Sequence, residues 1–421
     1  MKLKDIADYV TEKISSDAID LDSYITTDSL LQTKAGRDKA VNMPPQTCML
    51  TRYKIGDILV ANIRPYLKKV WMADIDGGCN ADVLVFRAKS NHSANFLYAV
   101  LLQDAFYTYA MKGAKGSKMP RGDKDQIMRY EIPMLSSSEE NIGNFIVDIN
   151  AKIALNREIN RNLEAMARQL FDYWFVQFDF PDENGRPYKS SGGKMVWNEK
   201  LKREIPEGWE RSLLETLIST NRGISYNTES ISGNGIPMLN LATFNIDGTF
   251  KEKGLKTYSG SYSKDKVLQP MDLVMCNTQQ TAIDFDKDII GKAFLVPFCF
   301  EGDVVSSHHV TTIETKDKNF KPYLCYLSRT DHFHRYAAGC TTGTNITGLN
   351  FTGLGKYAME IPPESVLKKF ADFIENIERR KSFIMLETSN LLTQRDELLP
   401  LLMSGQVSVM PQEVNCDLSH D

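Results

Sequence analysis

Asn95-Phe-Leu-Tyr-Ala-Val-Leu-Leu-Gln-Asp-Ala-Phe-Tyr-Thr-Tyr-Ala110 lies over Pro322-Tyr-Leu-Cys-Tyr-Leu-Ser-Arg-Thr-Asp-His-Phe-His-Arg-Tyr-Ala337 at a shift of 227 residues. Leu97/Leu324, Asp104/Asp331, Phe106/Phe333, Tyr109/Tyr336 and Ala110/Ala337 are identical. Self-similarity at a fixed offset means one structural unit used twice. The same shift places Gly116-Ser117 on Gly343-Thr344, while Asp57-Ile-Leu-Val-Ala-Asn62 matches Asp272-Leu-Val-Met-Cys-Asn277 at a shift of 215. Glu131-Ile132-Pro133 matches Glu360-Ile361-Pro362, and small insertions account for the drift.

After each Ile-Pro comes a long stretch with helical periodicity. Ile142, Ile149, Asn156, Leu163 and Leu170 fall seven apart, with Phe145, Ile159, Met166 and Tyr173 at a companion position. Phe370, Ile377, Ile384, Leu391 and Leu398 repeat the pattern, with Phe373 and Leu401 as companions. So sustained a heptad seam specifies coiled-coil helices, each about 50 Å long at 1.5 Å per residue. Asn156 sits at a seam position, where an amide fixes register at some cost in stability. Since a seam cannot stay in water, the two helices are expected to bury it against each other. Short runs rich in β-branched residues, such as Asp82-Val-Leu-Val-Phe86 and Val310-Thr-Thr-Ile313, mark strands in each half. The fold class expected is α/β, as two mixed α+β globes each followed by a long helix. The boundaries expected are 1–138 for the first globe, 139–178 for its helix, 179–204 for a Pro- and Gly-rich linker, 205–362 for the second globe, 363–405 for the distal helix and 406–421 for a tail.

Composition excludes several classes. Hydrophobic residues make up 42% of the 421, aromatics 10% and charged residues 25%, values of ordinary globular chains. No apolar run approaches the roughly 20 residues of a membrane helix. The N-terminus alternates charge and apolarity where a secretory signal needs an apolar stretch, so a cytoplasmic location is expected. Seven scattered cysteines without a Cys-x-x-Cys pair indicate neither a disulfide framework nor a cysteine zinc site. The net charge of −4 argues against coating of nucleic acid by bulk charge. Residues 1–138 carry 19 Lys/Arg against 16 Asp/Glu, and residues 206–362 carry 15 against 17.

No catalytic constellation is present in the sequence. Gly113-Ala-Lys-Gly116-Ser-Lys118 has the composition of a phosphate loop but not its spacing. No Asn/Asp-Pro-Pro-aromatic motif of an amino-methyltransferase occurs. His308, His309, His332 and His334 read as surface or packing histidines, because their first-half counterparts Ala81, Asp82, Ala105 and Tyr107 cannot reproduce a metal site. The basic residues are more informative. Lys112, Lys115, Lys118, Arg121 and Lys124 crowd a Gly-rich segment with Ser117, which suits phosphate binding, although a solvated loop has the same composition. The matching segment of the second half carries Thr341, Thr342, Thr344 and Asn345 and no cation. The strand-end loop with Arg64, Tyr66, Lys68 and Lys69 is matched by Asn277, Gln279 and Gln280. Arg suits guanine and Gln suits adenine as bidentate partners, while strand-end loops are also commonly just polar.

The order of these parts resembles the DNA specificity subunit of type I restriction-modification systems. The residues that carry the likeness are Gly56 to Leu59, the Gly-Ser/Thr loops, the Ile-Pro before each helix, Ile205-Pro-Glu-Gly-Trp209, and the helix ending Leu398-Leu-Pro-Leu-Leu-Met-Ser-Gly405. It covers nearly the whole chain. The resemblance implies a non-catalytic, DNA-binding subunit with no cofactor of its own. Each globe would read half of a split target in double-stranded DNA, and an antiparallel helix pair would set the spacer. It implies two modification subunits that use S-adenosylmethionine to methylate adenine, and restriction subunits that use ATP and Mg. A fused methyltransferase and a coiled-coil scaffold without nucleic acid are the competing readings; two globes and two helices leave no room for the first, and the second needs no matched polar loops.

Overall fold

A computed structural model describes residues 1–133, 138–280, 284–344 and 346–409. Asn345 and the tail from residue 410 lie outside the described residues. Two compact units divide the chain, Met1–Leu155 with Thr388–Asp421, and Asn156–Glu387, so that the division falls inside both long helices.

In the first unit a four-stranded antiparallel sheet runs in the order Ala7–Tyr9, Val83–Ala88, Ile58–Ala61, Val70–Met72. All four residues of Ile58–Ala61 are buried, because both faces of this central strand are covered; hence its unbroken apolar run. One face meets the helices Ala94–Leu102 and Asp104–Lys112, the first capped by Ser93 Oγ accepting from the Phe96 amide. A second sheet holds Lys13–Ser15, Met49–Tyr53, Gly77–Cys79 and Tyr24–Ile25 in that order.

The second unit repeats the first sheet strand for strand, as Ile218–Arg222, Val310–Thr315, Leu273–Cys276, Ala293–Leu295, again antiparallel throughout. The helices Phe320–Ser328 and Asp331–Gly339 follow as in the first. The repetition reaches single bonds. Asp57 accepts from the Lys54 amide and Asp272 from the Gln269 amide, both at 2.8 Å, so each Asp staples the turn that feeds its central strand. Residues 179–204, expected as a linker, are packed: Phe178 and Phe180 are buried against Trp209, and Met195–Asn198 pairs with Arg203–Pro206. The turn formers supply the corners of this segment, while its aromatics supply the burial.

The central helix is Glu139–Phe171, extended by a π-turn to Val176, and the distal helix is Glu364–Met403. Within the second unit they run antiparallel: Asn156 meets Glu387 at 2.7 Å, Asn160 the Lys381 carbonyl at 3.4 Å, and Phe171 and Phe175 flank Phe370. Within the first unit Asn150 accepts from Arg395 at 2.9 Å, and Ile142 and Ile146 share a core with Leu399 and Leu402. Of the heptad row, Ile142, Ile149, Asn156, Phe370 and Ile377 are buried, and Leu163, Leu170, Ile384, Leu391 and Leu398 are half-buried.

The companion position is a correction. It lies four residues on from the seam, at Ile146, Ile153, Asn160 and Ala167, and at Ile374, Lys381, Thr388, Arg395 and Leu402. Met166, Tyr173 and Phe373 instead face outward. Both i+3 and i+4 lie on one helix face, and apolarity alone pointed to i+3. The true companions include an Asn, a Lys and an Arg whose polar ends find partners across the seam; Arg395 is 2% exposed.

Gly143, in the first turns of the central helix, is where the helix crosses the segment around Asn95. A Cβ there would lie 2.4 Å from the Phe96 amide nitrogen and 2.6 Å from the Asn95 carbonyl carbon, both backbone atoms. Helix propensity favours Ala over Gly by about 0.5–1 kcal/mol, whereas overpacking costs about 1–3 kcal/mol. Gly143→Ala is therefore expected to destabilise the first unit by about 1–2 kcal/mol in urea unfolding. A stabilised variant would show that this close approach is not maintained.

Candidate nucleic-acid interface

Each globe docks a hairpin on the end of its central strand. In the first, Lys115 and Arg121 exchange both backbone bonds at 2.9 Å, and Gly116 turns the chain with φ +100°. The Gly122 amide donates to the Asn62 carbonyl at 3.1 Å and the Arg64 amide to that of Pro120 at 2.7 Å. In the second, Thr342 pairs with Gly348, Gly343 turns with φ +107°, and the Leu349 amide donates to the Asn277 carbonyl at 2.8 Å. At shifts of 227 for the hairpin and 215 for the strand end, these are the same bonds. Both turns need φ near +100°, a conformation in which glycine alone is unstrained.

The structure thus joins in one place the two segments that the sequence flagged separately. Arg64, Tyr66, Lys112, Lys115, Ser117, Lys118, Arg121 and Lys124 are all exposed around the first hairpin. Arg64 and Lys68 take left-handed backbone, φ +50° and +51°, on either side of the Pro65–Leu67 turn. Such non-glycine residues are over-determined by their surroundings. Arg121 is held bidentately by Asp82 at 2.8 and 3.2 Å, which leaves it aligned rather than loose. Lys115 lies 3.7 Å from Asp123, whose carboxyl the Gln126 amide holds below the usual range as it caps Lys124–Ile127.

Not every candidate keeps a free polar end. Lys68 is paired with Asp104 at 2.7 Å. Lys69 is 9% exposed, its ammonium bonded to the Thr27 carbonyl, and burial lowers its pKa. Asn277 is 6% exposed and donates to Thr311 Oγ1 at 2.6 Å and the His308 carbonyl at 3.1 Å, while Thr278 donates to it at 2.6 Å. Gln279 Oε1 accepts from the Ile289 amide at 2.8 Å. Lys69, Asn277 and Gln279 are therefore scaffold, since polar groups at a buried strand end must be bonded internally. Gln280 pairs with Ile346 through the backbone. Thr342 and Thr344 are exposed, and Thr341, half-buried, donates to the Ala338 carbonyl at 2.9 Å.

Sequence reasoning missed two apolar members. Met119 and Ile346, 227 apart, are 50% and 64% exposed on the two hairpins. An exposed aliphatic group is what reads a thymine methyl in the major groove. The repeat register itself was the signal that could have found them. It also missed the neighbourhood of His308 and His309, whose rings lie 3.8 Å apart beside the second strand end. His332 bonds the Tyr357 hydroxyl at 2.9 Å, and His334 stacks on Phe285. Among the described residues no group of three or more His, Cys, Asp or Glu is placed to hold a metal ion.

A different cluster holds the helices to the second globe. Glu164 accepts from Arg329 at 2.6 Å and from Lys381 at 2.5 Å, and Lys381 also bonds Glu378 at 2.7 Å. These residues line a cleft of about 720 Å³ shared with Asn245, Asp247 and Phe250. Within it Glu164, Arg329, Lys381 and Glu378 are paired with one another, as befits a joint. Among the described residues no helix is long and apolar enough to cross a membrane.

No protein-family model matches the chain. The specificity subunit of the type I restriction enzyme MjaIX from Methanocaldococcus jannaschii is 23% identical over 325 residues, 75% of this chain and 69% of that protein. The crystal structure of the type I restriction-modification S subunit from M. genitalium matches with a TM-score of 0.59 at 15% identity, covering 96% of this chain and 95% of that one. At that identity the second likeness is one of fold. Taken together, the sequence relation and the doubled globe-and-helix architecture make the chain a homologue of type I restriction enzyme specificity subunits.

Proposed function

We propose that the chain is the DNA-reading subunit of a type I restriction-modification complex, each globe reading one half of a bipartite target and the helix pair setting the spacer. The observation that carries this reading is the hairpin docked bond for bond alike on two strand ends, presenting cations in one globe and hydroxyls in the other. A duplicated scaffold with unlike side chains is what two different half-sites require, because phosphate contacts position while groove contacts specify. Two modification subunits, carrying S-adenosylmethionine, dock on the helices; restriction subunits supply ATP- and Mg-dependent translocation and cleavage. This chain holds no cofactor and performs no catalysis, and the complex works in the cytoplasm.

Mapping methylated adenines in the host genome tests the reading. Two short motifs separated by a constant spacer are expected; a single uninterrupted motif would overturn it. Exchanging residues 206–362 for those of another specificity subunit should then change one half-site and leave the other. Inserting a heptad in both helices should change only the spacer.

A further inference from the structure

The second globe lacks cations on its hairpin, yet it must still hold a polyanion if it reads DNA. The position equivalent to Asp82 shows what stands on the strand flank instead. In the first globe the Asn62 amide donates to the Asp82 carbonyl at 2.8 Å, and in the second the Asn277 amide donates to the His309 carbonyl at 3.1 Å. His309 therefore occupies the position of Asp82. Likewise Gly348 is opposite Thr278 as Arg121 is opposite Ile63. Where the first globe pairs an acid with a hairpin arginine, the second puts a histidine beside a glycine, so no carboxylate stands at this place on the second strand flank.

The surroundings of this histidine are cationic. The His308 and His309 rings lie 3.8 Å apart, and Tyr226 packs 5.6 Å from His308. Arg222 Nε donates to the His308 carbonyl at 3.1 Å, and Lys256 donates to the Tyr226 hydroxyl at 2.8 Å. Nδ1 of each histidine is buried and lacks a hydrogen-bond partner. The segment is anchored through its main chain, the His308 amide donating to the Ile224 carbonyl at 2.8 Å and the His308 carbonyl accepting from the Asn277 side-chain amide at 3.1 Å. The Nδ1 atoms are enclosed, while both histidines keep part of their surface open and Arg222 beside them is exposed.

Resting on the reading of the chain as a DNA-specificity subunit, we propose that Arg222, Lys256, His308 and His309 form the phosphodiester-binding site of the second globe. It takes over the role that the lysine-rich hairpin plays in the first. Burial, with His308, Arg222 and Lys256 close by, holds the His309 pKa below its usual value in the free protein. A phosphate brought against it raises that pKa, so binding takes up a proton and tightens as pH falls. The contribution fades as pH rises and the His309 imidazole becomes neutral.

The test uses the full chain assembled with its modification subunits and a duplex carrying the mapped target. Between about pH 8 and about pH 6 the wild-type complex should bind severalfold tighter, and His308→Gln/His309→Gln should flatten that profile. Arg222→Gln and Lys256→Gln should each make the dependence of log K on log salt shallower by about 0.9. An unchanged pH profile together with unchanged salt slopes overturns the phosphate site while leaving the function intact. A wild-type complex that neither binds nor methylates a bipartite target overturns the function, and the site with it. Arg222 is exposed, so its variant keeps the test valid if the histidine pair proves needed for folding.

Discussion

Glu164→Gln is expected to destabilise the second unit by about 3 kcal/mol, the low end of what removing one partner from a buried ion pair costs. The low end applies because Glu378 still faces Lys381 at 2.7 Å. Arg329, with its side chain 9% exposed, loses the carboxylate that compensates it. The pH dependence has a definite sign. Burial pushes the Glu164 carboxyl up, but Arg329 and Lys381 outweigh it and hold the pKa at about 2. A carboxyl depressed in the folded state contributes stability that is fully present above the unfolded value of about 4.3 and is lost as pH falls from there toward the folded value. Urea unfolding of the full chain, followed by the fluorescence of Trp174 and Trp209 in the second unit, should show this acid-range loss in the wild type and much less of it in the variant. A double-mutant cycle with Arg329→Met should be strongly non-additive. Additive costs would mean that the joint between the helices and the second globe does not depend on this pair.

The second large effect concerns binding. Lys112→Gln/Lys115→Gln/Lys118→Gln removes three exposed cations beside the first hairpin and is expected to leave folding untouched. If each lysine neutralises one phosphate, the slope of log K against log salt becomes shallower by about 2.7, and affinity at low salt falls by roughly one to two orders of magnitude. The loss should be nearly uniform across DNA sequences, because these contacts position rather than specify. Electrophoretic mobility shifts of the assembled complex on target and non-target duplexes, over a salt series, measure both. A loss confined to the target would instead make these lysines readers of bases. An unchanged slope would place the phosphates elsewhere.

Much of the architecture was legible in the order of residues. The tandem echo and the heptad seam are properties of the linear chain, and covalent spacing constrains which residues share a helix face. Hence the alternation of mixed α/β segments with two long helices could be read from the chain alone. The companion row of the helices was not legible, since Phe145 and Met166 look like better seam residues than Asn160, Lys381 and Arg395. Polar residues enter such a seam only when their ends meet partners, as Asn150 meets Arg395, and partners from a distant helix are invisible in one stretch of sequence. The packed segment around Trp209 was hidden for the same reason.

At the interface the same boundary applies. The sequence by itself determined that matching Gly-Ser and Gly-Thr loops recur in both halves and that their charges differ, because type and spacing are all those statements need. Only the tertiary structure decided which flagged residues face outward. Lys69, Asn277 and Gln279 have the chemistry of readers but lie where a strand end is buried, and their polar groups are spent on Thr27, Thr311 and Ile289. His308 and His309 read as surface or packing residues, and only the fold shows that they pack together beside the strand end, with both Nδ1 atoms buried and unbonded. The physical reason is one and the same. A side chain is available to DNA only if the fold does not need its hydrogen bonds, and that accounting closes over the whole globe rather than along the chain.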